Sequence, residues 1–225
     1  MKLKIAVLIP DRGDRPELMA NCLRMLKAQT VQPDHIEVVN DAPKNELCDI
    51  TYRYRTGYDR LRNKGFDIIL LWENDDWYAT TYIEFMIAKW LEAGNPDIFG
   101  TTYTVYYHLR LHKWFKISHS YCSSAMSTLI KPDMNFPWCQ DHDPYTDMHL
   151  WKNIKGTRIT PLKEICIGMK HNTGKCGGRN HNNYLHQFTN ANGLMFLQQY
   201  LDRESYFFYS TFYERYEMNV LSKAV

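Results

Sequence analysis

The chain has 225 residues, 44% hydrophobic and 23% charged, the balance of a globular protein rather than of a fibre or a disordered tail. Its formal net charge of +2 neither demands nor excludes a nucleic-acid partner. No apolar run approaches the ~20 residues that span a bilayer, so a cytoplasmic protein with no integral membrane association is expected.

In chain order, Ile5-Ala6-Val7-Leu8-Ile9 reads as a first strand. It is too short, and too abruptly cut by Pro10-Asp11-Arg12, for a leader peptide. Asp14 is placed to cap a helix with Pro16 in its first turn and Glu17 completing a capping box. Leu18, Cys22, Met25 and Leu26 then share one helical face. Ile36 to Val39 forms a second strand ending at Asn40-Asp41, followed by a polar stretch carrying Arg53, Arg55, Arg60 and Arg62. Ile68 to Leu71 is a strand buried on both faces. Thr80 or Thr81 starts a helix that Gly94 terminates. This strand–helix alternation predicts a parallel sheet. Beyond it, Ile98 to Gly100, Thr101 to Tyr107, Leu109 to Ile117, Ala125 to Ile130 and Glu164 to Met169 read as strands, and Pro144 to Ile154 as a short helix. Lys170 to Asn183 is a Gly/Asn/His-rich loop, and Leu194 to Met218 a helical tail crowded with aromatics. The six cysteines (Cys22, Cys48, Cys122, Cys139, Cys166, Cys176) form no CxxC pair, which predicts reduced thiols.

The chemistry concentrates at Trp72-Glu73-Asn74-Asp75-Asp76-Trp77-Tyr78, directly after the buried strand. A carboxylate cluster there is costly unless a cation joins it. Asp11, Asp41 and this cluster all follow candidate strands and converge on the crevice where open α/β sheets bind ligands. The arginines between the second and third strands would bring positive charge. Carboxylates beside arginines suggest a phosphate bound with a divalent cation, Mg²⁺ or Mn²⁺ by the oxygen-rich donor set. Neither a P-loop nor a GxGxxG fingerprint is present.

Several stretches together resemble family-2-type glycosyltransferases of the GT-A fold. Ile5 to Pro10, Arg15-Pro16-Glu17-Leu18 and Leu26-Lys27-Ala28-Gln29-Thr30 look like that family's opening. Ile36 to Asp41 is similar to its second strand and nucleoside-contacting acid, and Arg62-Asn63-Lys64-Gly65 to its ARNxG segment. Glu73-Asn74-Asp75-Asp76 resembles the DxDD metal motif, with Glu73 in place of the usual first aspartate. Tyr145-Thr146-Asp147 resembles the segment supplying the base, with Thr146 where glutamate is frequent, and Gly168-Met169-Lys170-His171 the strand-end histidine.

The resemblance implies a single GT-A domain over residues 1–190, a nucleotide-sugar half at 1–100 and an acceptor half at 101–190, with a helical extension at 191–225. It implies transfer from a nucleotide sugar, UDP-linked by preference, to a hydroxyl acceptor with inversion. Asp147 would be the base, Asp11, Asp41, Arg60, Asn63, Glu73 and Asp75 the donor site, and Asp75 with His171 the ligands of Mn²⁺ or Mg²⁺. The acceptor would be a glycan or a hydroxymethylated base in DNA, for which the basic-aromatic run Tyr103 to Trp114 is suited. The rival class is a GT-A-like domain that binds nucleotide sugar without turnover.

Asp141 and Asp143 are alternative bases, more simply read as caps of the helix near Pro144. Cys166, His171, Cys176 and His181 match no compact zinc template. Lys175 and Arg179 could contact phosphate from a loop. Tyr206, Tyr209, Tyr213 and Tyr216 line one side of the tail, a packing stripe or a dimer contact.

Overall fold

The structure is a computed structural model, and it describes residues 2–41, 48–171 and 192–215. β1 (Ile5–Pro10) is buried along its whole length, which is why its sequence is an unbroken apolar run. It lies between β2 (His35–Val39) and β3 (Ile68–Leu71), parallel to both. The sheet continues through β8 (Thr128–Ile130), antiparallel to its neighbours, to β5 (Ile98–Thr101) and β9 (Thr157–Ile159), in the order β2-β1-β3-β8-β5-β9. The expected mixed α/β class with a mostly parallel central sheet is therefore present.

Alternation along β1 and β3 sorts the core into two layers. Ile5, Val7, Ile9, Ile68 and Leu70 face Leu18, Cys22, Met25 and Leu26 of α1 (Pro16–Lys27) and Ile83 and Met86 of α3 (Tyr82–Glu92). Ala6, Leu8, Ile69 and Leu71 face Tyr54, Tyr58 and Leu61 of α2 (Ile50–Leu61). A Cβ on Gly57 of α2 would lie 2.0 Å from Leu8 Cδ1, so this helix can settle on β1 only with glycine there. Gly94 ends α3 with φ +82°, as its position predicted.

A second sheet is ordered β4 (Trp77–Tyr78), β10 (Cys166–Lys170), β6 (Tyr103–His108), β7 (Lys113–Ser118). α4 (Thr146–Asn153) follows a long loop after β8. α5 (Gly193–Tyr200) and α6 (Arg203–Ser210) pack on the α1 and α3 side, where Phe196, Leu197, Tyr209 and Phe212 are buried.

Three local expectations change. The Asp14 capping box does not form, because Asp14 bonds Arg12 Nε at 3.1 Å and the cap position falls to Arg15. The arginine-rich stretch is helical: Arg53, buried, binds Asp49 and the Val39 carbonyl, which stands in for the missing aliphatic stripe. Cys22, Cys122, Cys139 and Cys166 are free thiols as expected, but Cys48 is disulfide-bonded. Among the described residues, no helix is long and apolar enough to cross a membrane.

Candidate active site

Trp72 extends β3 by one bond, its N–H donating to the Leu8 carbonyl at 3.0 Å, and its ring stacks on Tyr78 at 3.7 Å. The turn between them carries Glu73, Asn74, Asp75 and Asp76. It is pinned at both ends. The Glu73 N–H donates to the Tyr78 hydroxyl at 2.8 Å, and β4 pairs antiparallel with β10 through Trp77 and Tyr78. Asp76, buried, accepts the Met169 N–H at 2.7 Å. The end of β10 therefore delivers Lys170 and His171 to the acidic turn.

His171 Nε2 lies 2.8 Å from Asp75 Oδ2, so these two predicted ligands do come together. A third group joins them from the start of α1. Arg15 Nη1 donates to the same Asp75 oxygen at 2.5 Å and stands 3.1 Å from His171 Nε2. Two donors thus converge on one acceptor, which requires the ring hydrogen on Nε2. Arg15 Nη2 donates to Asn74 Oδ1 at 3.1 Å, and Asn74 Nδ2 donates to Asp11 Oδ1 at 2.8 Å. Asp11 therefore belongs to the cluster through Asn74. From behind, the Tyr209 hydroxyl donates to the Asp75 carbonyl at 3.3 Å and the Tyr213 hydroxyl to the His171 carbonyl. The predicted aromatic stripe is used, at Tyr209, Phe212 and Tyr213, inside the chain; Tyr216 lies outside the described residues.

Charge is distributed unevenly over this turn. Burial pushes the Asp75 carboxyl up, but Arg15 and His171 outweigh it and hold Asp75 well below the usual carboxylate range. Glu73 is pushed up to about 7 by burial, against the pull of Lys170 and with the repulsion of Asp75 and Asp147. Asp76 is raised well above the usual carboxylate range, by burial and by Glu73 and Asp75. The trio resists three full negative charges at neutral pH unless more positive charge arrives. Carboxylate oxygens of Glu73, Asp75 and Asp76 lie within 4.8 Å of one another, an all-oxygen donor set suited to a hard divalent cation.

Asp147 occupies the first turn of α4, accepting the Met148 N–H at 2.8 Å. Burial raises its carboxyl to about 6, against backbone hydrogen bonds from Met148 and Ala125. It lies within electrostatic reach of Glu73 and of the Tyr106 hydroxyl, which also feels Lys170. No salt bridge reaches Asp147 among the described residues. Its rivals are engaged elsewhere: Asp141 pairs with Arg55 at 2.7 Å, and Asp143 accepts the Tyr145 N–H at 2.8 Å.

Other predicted donor residues do not join the cluster. Arg60 binds Asp41 at 2.7 Å and Glu37 at 3.0 Å on the exposed side of the sheet. Asn63 is exposed in the turn leading into the start of β3, the opposite end of that strand from the acidic turn. The α2 arginines pair with Asp49, Asp141, Glu37 and Asp41, while at the acidic turn itself the positive charge comes from Arg15 and Lys170. Both were visible in matched segments, but nothing in the sequence gave them a role. Lys175, Cys176, Arg179 and His181 lie outside the described residues.

No family model and no curated protein matches the chain. Among solved structures, a crystal structure of S. aureus TarS 1-349 is similar with a TM-score of 0.47 at 13% identity, over 74% of this chain and 60% of that one. A longer S. aureus TarS structure is similar with a TM-score of 0.45 at 13% identity, over 74% of this chain and 37% of that one. The chain spans less than two thirds of either, and a likeness this distant says nothing of residues or chemistry.

Proposed function

We propose that this chain is a metal-dependent inverting glycosyltransferase that moves a sugar from a nucleotide donor, UDP-linked by preference, to a hydroxyl acceptor. The observation that carries the reading is the pairing of two unlike acidic centres. Asp75 is bonded to Arg15 and His171, and Asp147, within electrostatic reach of the same turn through Glu73, carries a raised carboxyl without a described cation partner.

Breaking a sugar–phosphate bond leaves extra negative charge on the departing diphosphate. Arg15 and Lys170 offer fixed positive charge for it, and Asn74 aligns Arg15 with Asp11. Asp75 and His171, with Glu73 directly or through water, would hold Mn²⁺ or Mg²⁺, and such an ion neutralises diphosphate charge when bound. To take that position, Asp75 must share or surrender its Arg15 bond, and the His171 ring hydrogen must move to Nδ1 to free the Nε2 lone pair. Asp147 accepts the proton of the attacking hydroxyl. With its carboxyl near 6 it remains mostly ionised at pH 7 yet is more basic than an ordinary aspartate. A base on the sugar face opposite the diphosphate gives in-line displacement and inversion. Tyr106, near both Lys170 and Asp147, suits the wall on which an acceptor ring stacks. A glycan or a hydroxymethylated DNA base would meet that requirement.

The test is release of nucleoside diphosphate from a panel of UDP-sugars with Mn²⁺. Release that chelation and Asp75→Ala both suppress is expected; equal rates for wild type and Asp75→Ala overturn the metal assignment. One observation favours a second reading, nucleotide-sugar binding without turnover: Arg15 already satisfies Asp75 at 2.5 Å. Tight binding with no transfer to any acceptor would select it.

A further inference from the structure

We propose that Cys139, Asp143 and His149 form a second cation site, for a thiophilic divalent ion of the zinc type. It is separate from the acidic turn and independent of the transferase reading. Cys139 and Asp143 lie in the loop between β8 and α4, and His149 lies on α4 itself. Ligand atoms of all three approach within 4.8 Å of one another.

The spacing fits a metal better than it fits a hydrogen bond. His149 Nε2 and Asp143 Oδ2 are 3.3 Å apart, beyond the usual N–H···O distance of about 2.9 Å. It matches the edge of a tetrahedron with zinc–ligand bonds of about 2.0 Å, roughly 3.3 Å. With the sulfur within 4.8 Å of both partners, closing it onto that edge requires a shift of at most roughly 1 Å. The carboxylate is already oriented for single-oxygen ligation: Asp143 Oδ1 accepts the Tyr145 N–H at 2.8 Å, leaving Oδ2 toward the histidine.

The loop is held for this arrangement by α2. Thr51 Oγ1 donates its one hydrogen to the Asp143 carbonyl at 2.6 Å. Its 3.4 Å contact with Cys139 Sγ is therefore one in which the thiol donates. On coordination the thiol would lose that proton to solvent, and the thiolate would become the sulfur ligand. With Asp143 and His149 side chains 28% and 45% exposed, water can complete the fourth position. One sulfur, one nitrogen and one oxygen favour zinc over magnesium or manganese, the reverse of the Glu73-Asp75-Asp76 set. Bound there, the ion would tie the loop to the helix that carries Asp147.

The test strips the purified chain of metal and titrates it with Zn²⁺ and, separately, Co²⁺, with excess Mg²⁺ present to occupy oxygen-only sites. The expected result is one Zn²⁺ per chain, proton release on binding, and a thiolate-to-cobalt charge-transfer band. Cys139→Ser should abolish the band, and His149→Ala should weaken Zn²⁺ binding by about 10-fold or more. Both variants must keep the wild-type far-ultraviolet circular dichroism. The proposal is overturned by a band that survives Cys139→Ser, by Zn²⁺ affinity indifferent to His149→Ala, or by no uptake in the wild type. None of these readouts requires sugar transfer, so the site can fail while the transferase reading stands, and the reverse.

Discussion

Asp75 and Asp147 are the same side chain in two settings, both within electrostatic reach of Glu73, and the chain treats them oppositely. Asp75 sits where a strand end, a second sheet and the start of α1 meet, so Arg15 and His171 reach it and keep it ionised. Asp147 sits on the first turn of a short helix, held by backbone N–H groups, and burial raises it. Environments that push like groups apart divide the labour of acid–base chemistry. In the proposed reaction the first would hold charge and the second would move a proton.

The largest effect should come from deleting the proton acceptor. Asp147→Asn is expected to lower the transfer rate by about 10²- to 10⁴-fold while leaving donor affinity unchanged, read by separate kinetic and binding titrations. An equal loss of both would erase the distinction between the two aspartates. Asp75→Ala should act on the other side. Stripping one partner from a largely buried charge network costs about 3 kcal/mol in urea unfolding and weakens diphosphate binding. The pH dependence sharpens the contrast. Because a base must be ionised, kcat/KM at saturating Mn²⁺, where the bound ion would keep Glu73 ionised, should be flat above the Asp147 value of about 6 and fall tenfold per unit below it. Asp75, held ionised, should add no limb in that range. The stability sign is the opposite one. A carboxyl raised on folding contributes stability that is fully present below its unfolded value of about 4 and lost as pH rises through about 6. Asp147→Asn should therefore be somewhat more stable than wild type at pH 8. Smallest is Tyr213→Phe, which removes the hydroxyl donated to the His171 carbonyl and should cost about 1 kcal/mol, with a modest loss of diphosphate affinity.

What could be read before any coordinates follows from periodicity and punctuation. The apolar runs of β1 and β3, the α1 face and the Gly94 stop are each written locally. α2 is not, because its buried face is made of Thr51, Arg53, Tyr54, Gly57, Tyr58 and Leu61 rather than a hydrophobic stripe. Two-residue β4 and three-residue β9 are too short to leave a pattern. In the site, the meeting of Asp75 and His171 was expected from ordered motifs, whereas the Arg15 bond to Asp75 joins positions 60 residues apart. Only the parallel packing of β1 against β3 brings α1 to the acidic turn. The α2 arginines pair with Asp49, Asp141, Glu37 and Asp41, partners that no local pattern announced.

The central claim is that the acidic turn, with its resident cations, is built to hold a nucleoside diphosphate together with a divalent ion. Calorimetric titration of UDP into the chain, with and without Mn²⁺, reads it directly. At least tenfold tighter binding with Mn²⁺ in the wild type, absent in Asp75→Ala, is the predicted result. No UDP binding, or binding that neither Mn²⁺ nor Asp75→Ala alters, would contradict it.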